Sequence, residues 1–189
     1  MQTLATLHLP AAAAEDHTYE HHPGHLTEGQ KLFYRTNDES VLDPTSWSVM
    51  TYESKHILTV YFKGHLFTSY RAVFGRSLKA GGKLYEGDRR TPQGVYHIIG
   101  KHRSYRWRYF LKLDYPNNVD RIRFGEMRAD GMIPARFREG GEIGIHGTDE
   151  PLLNDGLVNW TTGCISIDNR AIVELVRLLP IGTLVIINP

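Results

Sequence analysis

Two short stretches decide how this chain folds: GIHGT at residues 144–148 and TTGCIS at residues 161–166. The first carries His146 behind an apolar run, and the second carries Cys164, the chain's only cysteine, behind a glycine. A thiolate is a strong nucleophile, but a free cysteine at neutral pH is mostly thiol, so it needs a neighbouring base to accept its proton. We therefore expect the fold to bring His146 and Cys164 together.

Composition places the chain among ordinary globular proteins. Of its 189 residues, 41% are hydrophobic and 23% are charged, and the formal net charge is +1. This balance gives no electrostatic reason to expect nucleic acid or an acidic membrane as a partner, and no apolar run is long enough to span a bilayer. A single cysteine excludes an internal disulfide and a cysteine-rich metal site, so Cys164 is either an inert core thiol or a reactive one.

The first 28 residues lack regular periodicity and are rich in histidine. The i, i+4 spacing of His17, His21 and His25 would place three imidazoles on one helical face, as in a metal site. A proline and a glycine interrupt that helix. We therefore predict that residues 1–28 form an arm that is poorly ordered or processed, with no metal site. Its short apolar start has no positive leader, so we do not predict a signal peptide.

From residue 57 onward the pattern predicts a mainly β domain. β-branched and aromatic residues are concentrated in seven predicted strands: 57–62, 66–74, 94–99, 109–113, 142–145, 164–167 and 183–187. Apolar residues at helical spacing predict two short helices, at 119–129 and 169–179, the second with Asp168 as its N-cap. We expect 29–54 to be a lead-in segment and 55–189 to be the domain that carries the histidine and the cysteine.

His146 and Cys164 each lie where a short apolar strand is predicted to meet a loop. A rigid sheet can present a functional side chain at such a junction. Gly163 allows a tight turn before Cys164, and amides near these two residues could bind the oxyanion of a tetrahedral intermediate. No Asn or Asp follows in the order that papain-like proteases use. A backbone carbonyl, such as that of Gly147, could instead hold the second nitrogen of His146. Acyl transfer by a thiolate needs no metal or organic cofactor.

At these residues the sequence resembles a known family. IHGT at 145–148, TTGC at 161–164 and the upstream GDRRTPQG at 87–94 resemble the L,D-transpeptidase catalytic (YkuD-type) domain. That family's pattern places Ser/Thr-x-Gly-Cys about fifteen residues after a histidine, and here fifteen positions separate His146 from Thr161. NWTTGC at 159–164, with YPN at 115–117, is most similar to the YafK-like branch. The resemblance covers residues 55–189.

The resemblance implies a mixed β-sandwich and a role for each matched residue. Cys164 would be the nucleophile that forms a thioester with a peptidoglycan stem peptide, and His146 would be the general base, oriented by the Gly147 carbonyl. Thr162 and Gly163 would lie in the oxyanion region. The acyl group of the third stem residue would pass to an amine, and the protein would act in the periplasm or outside the cell, where peptidoglycan is.

The sequence departs from the family at two places. Many members have His where Thr162 stands, and Arg or Asn where Ser166 stands, so substrate-binding detail transfers less well than the His–Cys pair. Trp160 fits both a packing anchor and a surface on which substrate stacks. Our candidates for substrate binding are Tyr85, Arg90, Asn159, Trp160 and Ser166.

Two alternatives to transfer remain open. If water replaces the amine, the protein is an L,D-carboxypeptidase, or an amidase that detaches a wall-attached lipoprotein. If the site has lost its activity, the domain is a peptidoglycan-binding module. The intact His146, Gly163 and Cys164 argue against the second alternative.

Overall fold

The computed structural model describes residues 26–36, 39–77, 79 and 81–189. His17, His21 and His25, where we predict no metal site, lie outside these residues. Within them, the helices are α1 (Glu28–Arg35), α2 (Asn118–Ala129), α3 (Pro151–Asp155) and α4 (Asn169–Leu178). The strands are β1 (Trp47–Tyr52), β2 (Ile57–Phe62), β3 (His65–Val73), β4 (Gly94–Ser104), β5 (Arg108–Leu113), β6 (Gly144–His146), β7 (Ile165–Ile167) and β8 (Leu184–Asn188).

The strands close into a barrel in the order β1-β2-β3-β7-β6-β5-β4-β8. Neighbouring strands are antiparallel except for β1 with β8 and β6 with β7, which are parallel. The predicted mainly β fold with mixed pairing is confirmed. The two sheets of the expected sandwich are joined here. β3 pairs with both β2 and β7, and β4 pairs with both β5 and β8, so no sheet edge is left open.

The predicted number of helices, two, is too low, because the described residues contain four. α2 and α4 are the predicted pair. α1 begins at a capping box made by Thr27 and Gln30, and α3 is five residues long with a proline in its first turn. Both are too short to show a helical period in the sequence.

An aromatic cluster joins the segment before residue 55 to the barrel. The Phe33 ring of α1 lies 5.7 Å from that of Trp47 and 5.6 Å from that of Phe62, measured between centroids. Trp47 and Phe62 are buried in the core. The predicted lead-in segment therefore contains one barrel strand, β1, and a helix packed against the barrel.

The site rests on the two shortest strands. All residues of β6 and β7 are buried, and the strands pair in parallel. The loop before β7 is attached to the end of β3: the Thr161 amide donates to the Phe74 carbonyl at 3.2 Å, and the Arg76 amide donates to the Thr161 carbonyl at 3.0 Å. The loop that carries Cys164 is thus fixed at Thr161 to the segment that follows β3.

Candidate active site

Strand register brings the histidine and cysteine segments side by side. In the parallel pair, Ile145 lies opposite Ile165 and His146 lies opposite Ser166. Cys164 directly precedes β7, so this register places its backbone two residues from the position opposite His146.

His146 is 1% exposed and is enclosed by aromatic rings. The Trp107 ring stacks on the imidazole with 4.2 Å between centroids, and the rings of Phe110 and Trp160 lie at 6.0 and 5.9 Å. Burial lowers the pKa of His146 to about 4, and the hydrogen bond with Gly147 only partly opposes this effect. The imidazole is therefore neutral at physiological pH.

The hydrogen bonds of the imidazole set its tautomer. His146 Nδ1 lies 2.6 Å from the Gly147 carbonyl oxygen. A carbonyl can only accept, so Nδ1 carries the proton and Nε2 has the free lone pair. The structure thus provides, at Nε2, the form of histidine that can accept a proton.

The same carbonyl is held by a buried polar chain. Ser166 Oγ donates to the Gly147 carbonyl at 3.0 Å, Asn154 Nδ2 donates to Ser166 Oγ at 3.1 Å, and Trp160 Nε1 donates to Asn154 Oδ1 at 2.8 Å. Ser166 is 0% exposed. In this structure its hydroxyl is therefore engaged with protein partners and supports the carbonyl that contacts His146, and the substrate-binding role predicted for Ser166 stays a prediction.

A second group holds the ring that covers the histidine. Trp107 Nε1 donates to Asp149 Oδ1 at 2.9 Å, and Arg106 donates to Asp149 Oδ2 through Nε and Nη2 at 2.9 and 2.6 Å. Sequence reasoning missed these residues and Asn154. Asp149, three positions after His146, was the one available signal, since Trp107 lies in the turn between β4 and β5, far away along the chain.

Cys164 is 9% exposed, and its thiol donates to the Glu142 carbonyl at 3.4 Å. Burial raises its pKa to about 11, although the Gly144 amide and the Lys83 ammonium act to lower it. Cys164 is therefore a thiol at neutral pH, and the histidine on the neighbouring strand is neutral. A thiol turned from Glu142 toward His146 could give up its proton during attack on an acyl carbon.

The loop before the cysteine is closed by Thr161. Its Oγ1 accepts from the Gly163 amide at 3.2 Å and donates to the Cys164 carbonyl at 2.7 Å. Gly163 has φ +141°, and a Cβ there would lie 2.8 Å from the Arg90 carbonyl oxygen. The Gly163 amide, predicted to be free for an oxyanion, is thus occupied in this structure, whereas Thr162 is exposed beside it.

The remaining predicted residues have mostly structural contacts. The Tyr85 ring stacks on that of Phe137 at 4.3 Å, and Arg90 Nη1 donates to the Gly82 carbonyl at 3.3 Å. Asn159 Oδ1 accepts from the Phe74 amide at 2.8 Å, which fixes the cysteine loop. Of the five candidates, Trp160 has its ring 5.9 Å from that of His146, and Ser166 lies opposite His146 in the strand pair.

Two further observations concern the part of the chain that the structure describes. No group of three or more His, Cys, Asp or Glu side chains there is arranged to hold a metal ion. No helix there has the length and apolar character needed to cross a membrane.

Comparisons with known proteins concern the family and the fold. The family model YkuD, described as the L,D-transpeptidase catalytic domain, matches residues 46–187. A search of the curated proteins returned no match.

Solved structures share the fold at low identity. The helical cell shape determining protein Pgp2 from Campylobacter jejuni is 23% identical with a TM-score of 0.56, over 75% of this chain and 47% of that one. Bd1075 from Bdellovibrio bacteriovorus is 18% identical with a TM-score of 0.53, again over 75% and 47%. L,D-transpeptidase 3 from Mycobacterium tuberculosis, in complex with a faropenem-derived adduct, is 17% identical with a TM-score of 0.52, over 76% and 60%.

This chain therefore spans only 47% to 60% of the length of those three structures. Their likeness concerns the fold. The family match covers nearly the whole barrel, from the residue before β1 to within β8. This chain belongs to the L,D-transpeptidase catalytic domain (YkuD) family.

Proposed function

We propose that this protein is a cysteine-dependent acyltransferase that acts on peptidoglycan stem peptides, with Cys164 as nucleophile and His146 as general base. Membership of the L,D-transpeptidase family supports the substrate class. The observation that carries the proposal is the parallel pairing of β6 with β7, together with the Nδ1 contact to the Gly147 carbonyl. This contact leaves Nε2 free to accept the thiol proton.

In the first step, Sγ of Cys164 attacks the carbonyl carbon of the third stem residue, and its proton passes to Nε2 of His146. A C–S bond forms as the C–N bond breaks, and the imidazolium returns the proton to the departing amino group of the D-amino acid. In the second step, an acceptor amine attacks the thioester. His146 accepts one amine proton and passes it to the departing sulfur, so the thiol is restored.

The electrostatics favour proton transfer during the attack over a preformed ion pair. The pKa of Cys164 is raised to about 11 and that of His146 is lowered to about 4, in both cases because of burial. A gap of this size disfavours a resting thiolate–imidazolium pair by on the order of 10 kcal/mol. The thiolate would therefore form only as the substrate carbonyl accepts its electrons.

The place of action follows from the substrate. Peptidoglycan lies outside the cytoplasmic membrane, so we propose a periplasmic or extracellular site of action. The acyl acceptor distinguishes two outcomes. An amine yields a transpeptidase, whereas water yields a carboxypeptidase or an amidase, with a wall-attached lipoprotein as one substrate.

The test is incubation of the protein with purified muropeptides, followed by mass spectrometry of the products. We expect loss of the terminal D-amino acid with the wild-type protein and no such loss with Cys164→Ala. Cross-links between third residues would identify transfer, and trimmed tripeptides would identify hydrolysis. Turnover that survives in Cys164→Ala, or muropeptide binding without any product, would contradict the proposal.

A further inference from the structure

A buried ammonium group lies beside the cysteine loop. Lys83 Nζ lies 2.8 Å from Asp88 Oδ1, and each of these side chains is only 4% exposed. The same Nζ lies 3.7 Å from the position that a Cβ on Gly163 would occupy. The charge of Lys83 is therefore in contact distance of the residue that precedes Cys164.

The carboxylate of Asp88 is shared among several donors. Its Oδ2 accepts from the amides of Leu84 and Tyr85 at 2.6 and 3.3 Å, and its Oδ1 accepts from the Arg90 amide at 3.1 Å. Burial acts to raise the pKa of Asp88, but these amides and the Lys83 ammonium hold it below its ordinary value. Since three backbone dipoles also stabilise the carboxylate, they offset part of its negative charge. The field of the ammonium at the loop is thus incompletely cancelled.

The other charges near the thiol act differently. The Lys83 ammonium lowers the pKa of Cys164, whereas Glu142 raises it. The Glu142 carboxylate is 79% exposed and is paired with Lys112 at 2.6 Å, so solvent and a counter-charge screen it. Lys83 is therefore the buried cation that faces the cysteine loop.

We propose that Lys83 is a positioning residue for the reaction of Cys164: its fixed ammonium stabilises the negative charge that develops on Sγ. This inference rests on the proposed function, in which Cys164 attacks an acyl carbon. Lys83 keeps its proton throughout and makes no bond to substrate. A buried ion pair contributes less folding stability than apolar residues of similar size. Stabilisation of the developing thiolate would explain why the Lys83–Asp88 pair is buried here.

The test uses the single cysteine as its own probe. Alkylation by iodoacetamide at pH 8, followed by intact-protein mass spectrometry, reports the thiolate fraction without any substrate. We expect Lys83→Met to slow alkylation roughly threefold to tenfold. Loss of a nearby opposite charge raises the thiol pKa by about one unit or more, and the higher nucleophilicity of the more basic thiolate offsets part of the lost thiolate fraction. Asp88→Asn removes the compensating charge and should accelerate alkylation. Lys31→Met is the matched control, because Lys31 forms an exposed pair with Glu28 on α1, and should leave the rate unchanged.

The opposite signs separate an electrostatic role from a structural one. Lys83→Arg keeps the charge and should restore most of the rate that Lys83→Met loses. Equal rates in Lys83→Met and wild type, or changes of the same sign in Lys83→Met and Asp88→Asn, would overturn the inference. If Lys83→Met does not fold, as judged by thermal unfolding, Asp88→Asn decides the question: faster alkylation than wild type supports the electrostatic role, and slower or equal alkylation overturns it. Failure of the muropeptide assay alone would count against the proposed function, since the alkylation series needs no turnover.

Discussion

At the scale of single residues, the environment of His146 and Cys164 sets the protonation state of the candidate pair. His146 is not oriented by a carboxylate. Its Nδ1 contacts the Gly147 carbonyl, which also accepts a hydrogen bond from Ser166. The sequence indicated the carbonyl, because no Asp or Asn stands in the expected place. It could not indicate the enclosing rings, because Trp107 lies 39 positions before His146 and meets it only through strand pairing.

The pH dependence of thiol reactivity follows from burial. The pKa of Cys164 is raised to about 11, so the thiolate fraction should grow about tenfold per pH unit up to that value, beyond the ordinary cysteine value of about 8.5. The rate of iodoacetamide alkylation, measured at several values from about pH 7 to about pH 10, should therefore keep rising with pH. A plateau near pH 7 or below would instead indicate a preformed thiolate–imidazolium pair.

The hydrogen bond from Ser166 makes a separate prediction. Ser166→Ala removes the donor to the Gly147 carbonyl and leaves Asn154 Nδ2 without its acceptor. An unsatisfied buried group costs about 1–3 kcal/mol of folding free energy, and we expect turnover to fall along with stability. Urea unfolding and the muropeptide assay measure the two effects.

Ser54→Ala is the control for that variant, since the exposed Ser54 hydroxyl donates to the Pro189 carbonyl away from the site. It should change neither quantity appreciably. If Ser166→Ala retained full turnover, the polar chain behind Gly147 would have no catalytic importance.

At the scale of elements, prediction succeeded where periodicity or capping is local. α4 begins after Asp168, whose side chain accepts from the Arg170 amide at 2.7 Å, and its apolar stripe is buried at Ile172 and Leu175. β2 was predicted with its correct bounds. β1 was missed, because its alternating pattern directly follows a turn-rich segment. Its partners, β2 and the distant β8, are not evident from the local sequence.

The loop before β7 depends on a glycine. Gly163→Ala places a methyl group 2.8 Å from the Arg90 carbonyl oxygen at φ +141°, a conformation that costs an alanine on the order of 1–3 kcal/mol in strain alone. We expect lower stability in urea and loss of Cys164 turnover.

Gly125→Ala is the matched control for that substitution. Gly125 lies in α2 with open space around its Cα, so alanine should stabilise the protein by about 0.5–1 kcal/mol through helix propensity. Equal stability of the two variants would show that the loop relaxes freely around residue 163.

At the scale of the whole molecule, closure of the barrel decides which residues form one folding unit. β8, at the end of the chain, pairs with β1 on one side and β4 on the other. β1 therefore links the start of the described fold to its end. The predicted domain of 55–189 leaves that strand out, whereas the family match begins at residue 46.

A shortened chain tests this difference. Residues 55–189 alone lack α1 and β1, so β2 and β8 would each have an unpaired edge. The core surface that Trp47 covers would also be exposed to solvent. Exposed edges favour aggregation. We expect the shortened chain to lack the cooperative thermal unfolding of the full chain, as measured by circular dichroism and calorimetry. A cooperative transition at the full-chain temperature would support a domain that begins at residue 55.

The sequence by itself determined the mainly β class, the two longer helices and the identity of the candidate His–Cys pair. These depend on local periodicity, capping and the motif around residues 146–164. Only the tertiary structure decided that the strands close into a barrel, that Ser166 is buried against the Gly147 carbonyl, and that Lys83 lies beside the cysteine loop. The reason is physical: strand pairing and burial join residues that are distant along the chain, and no local pattern records which partners meet or how deeply they are buried.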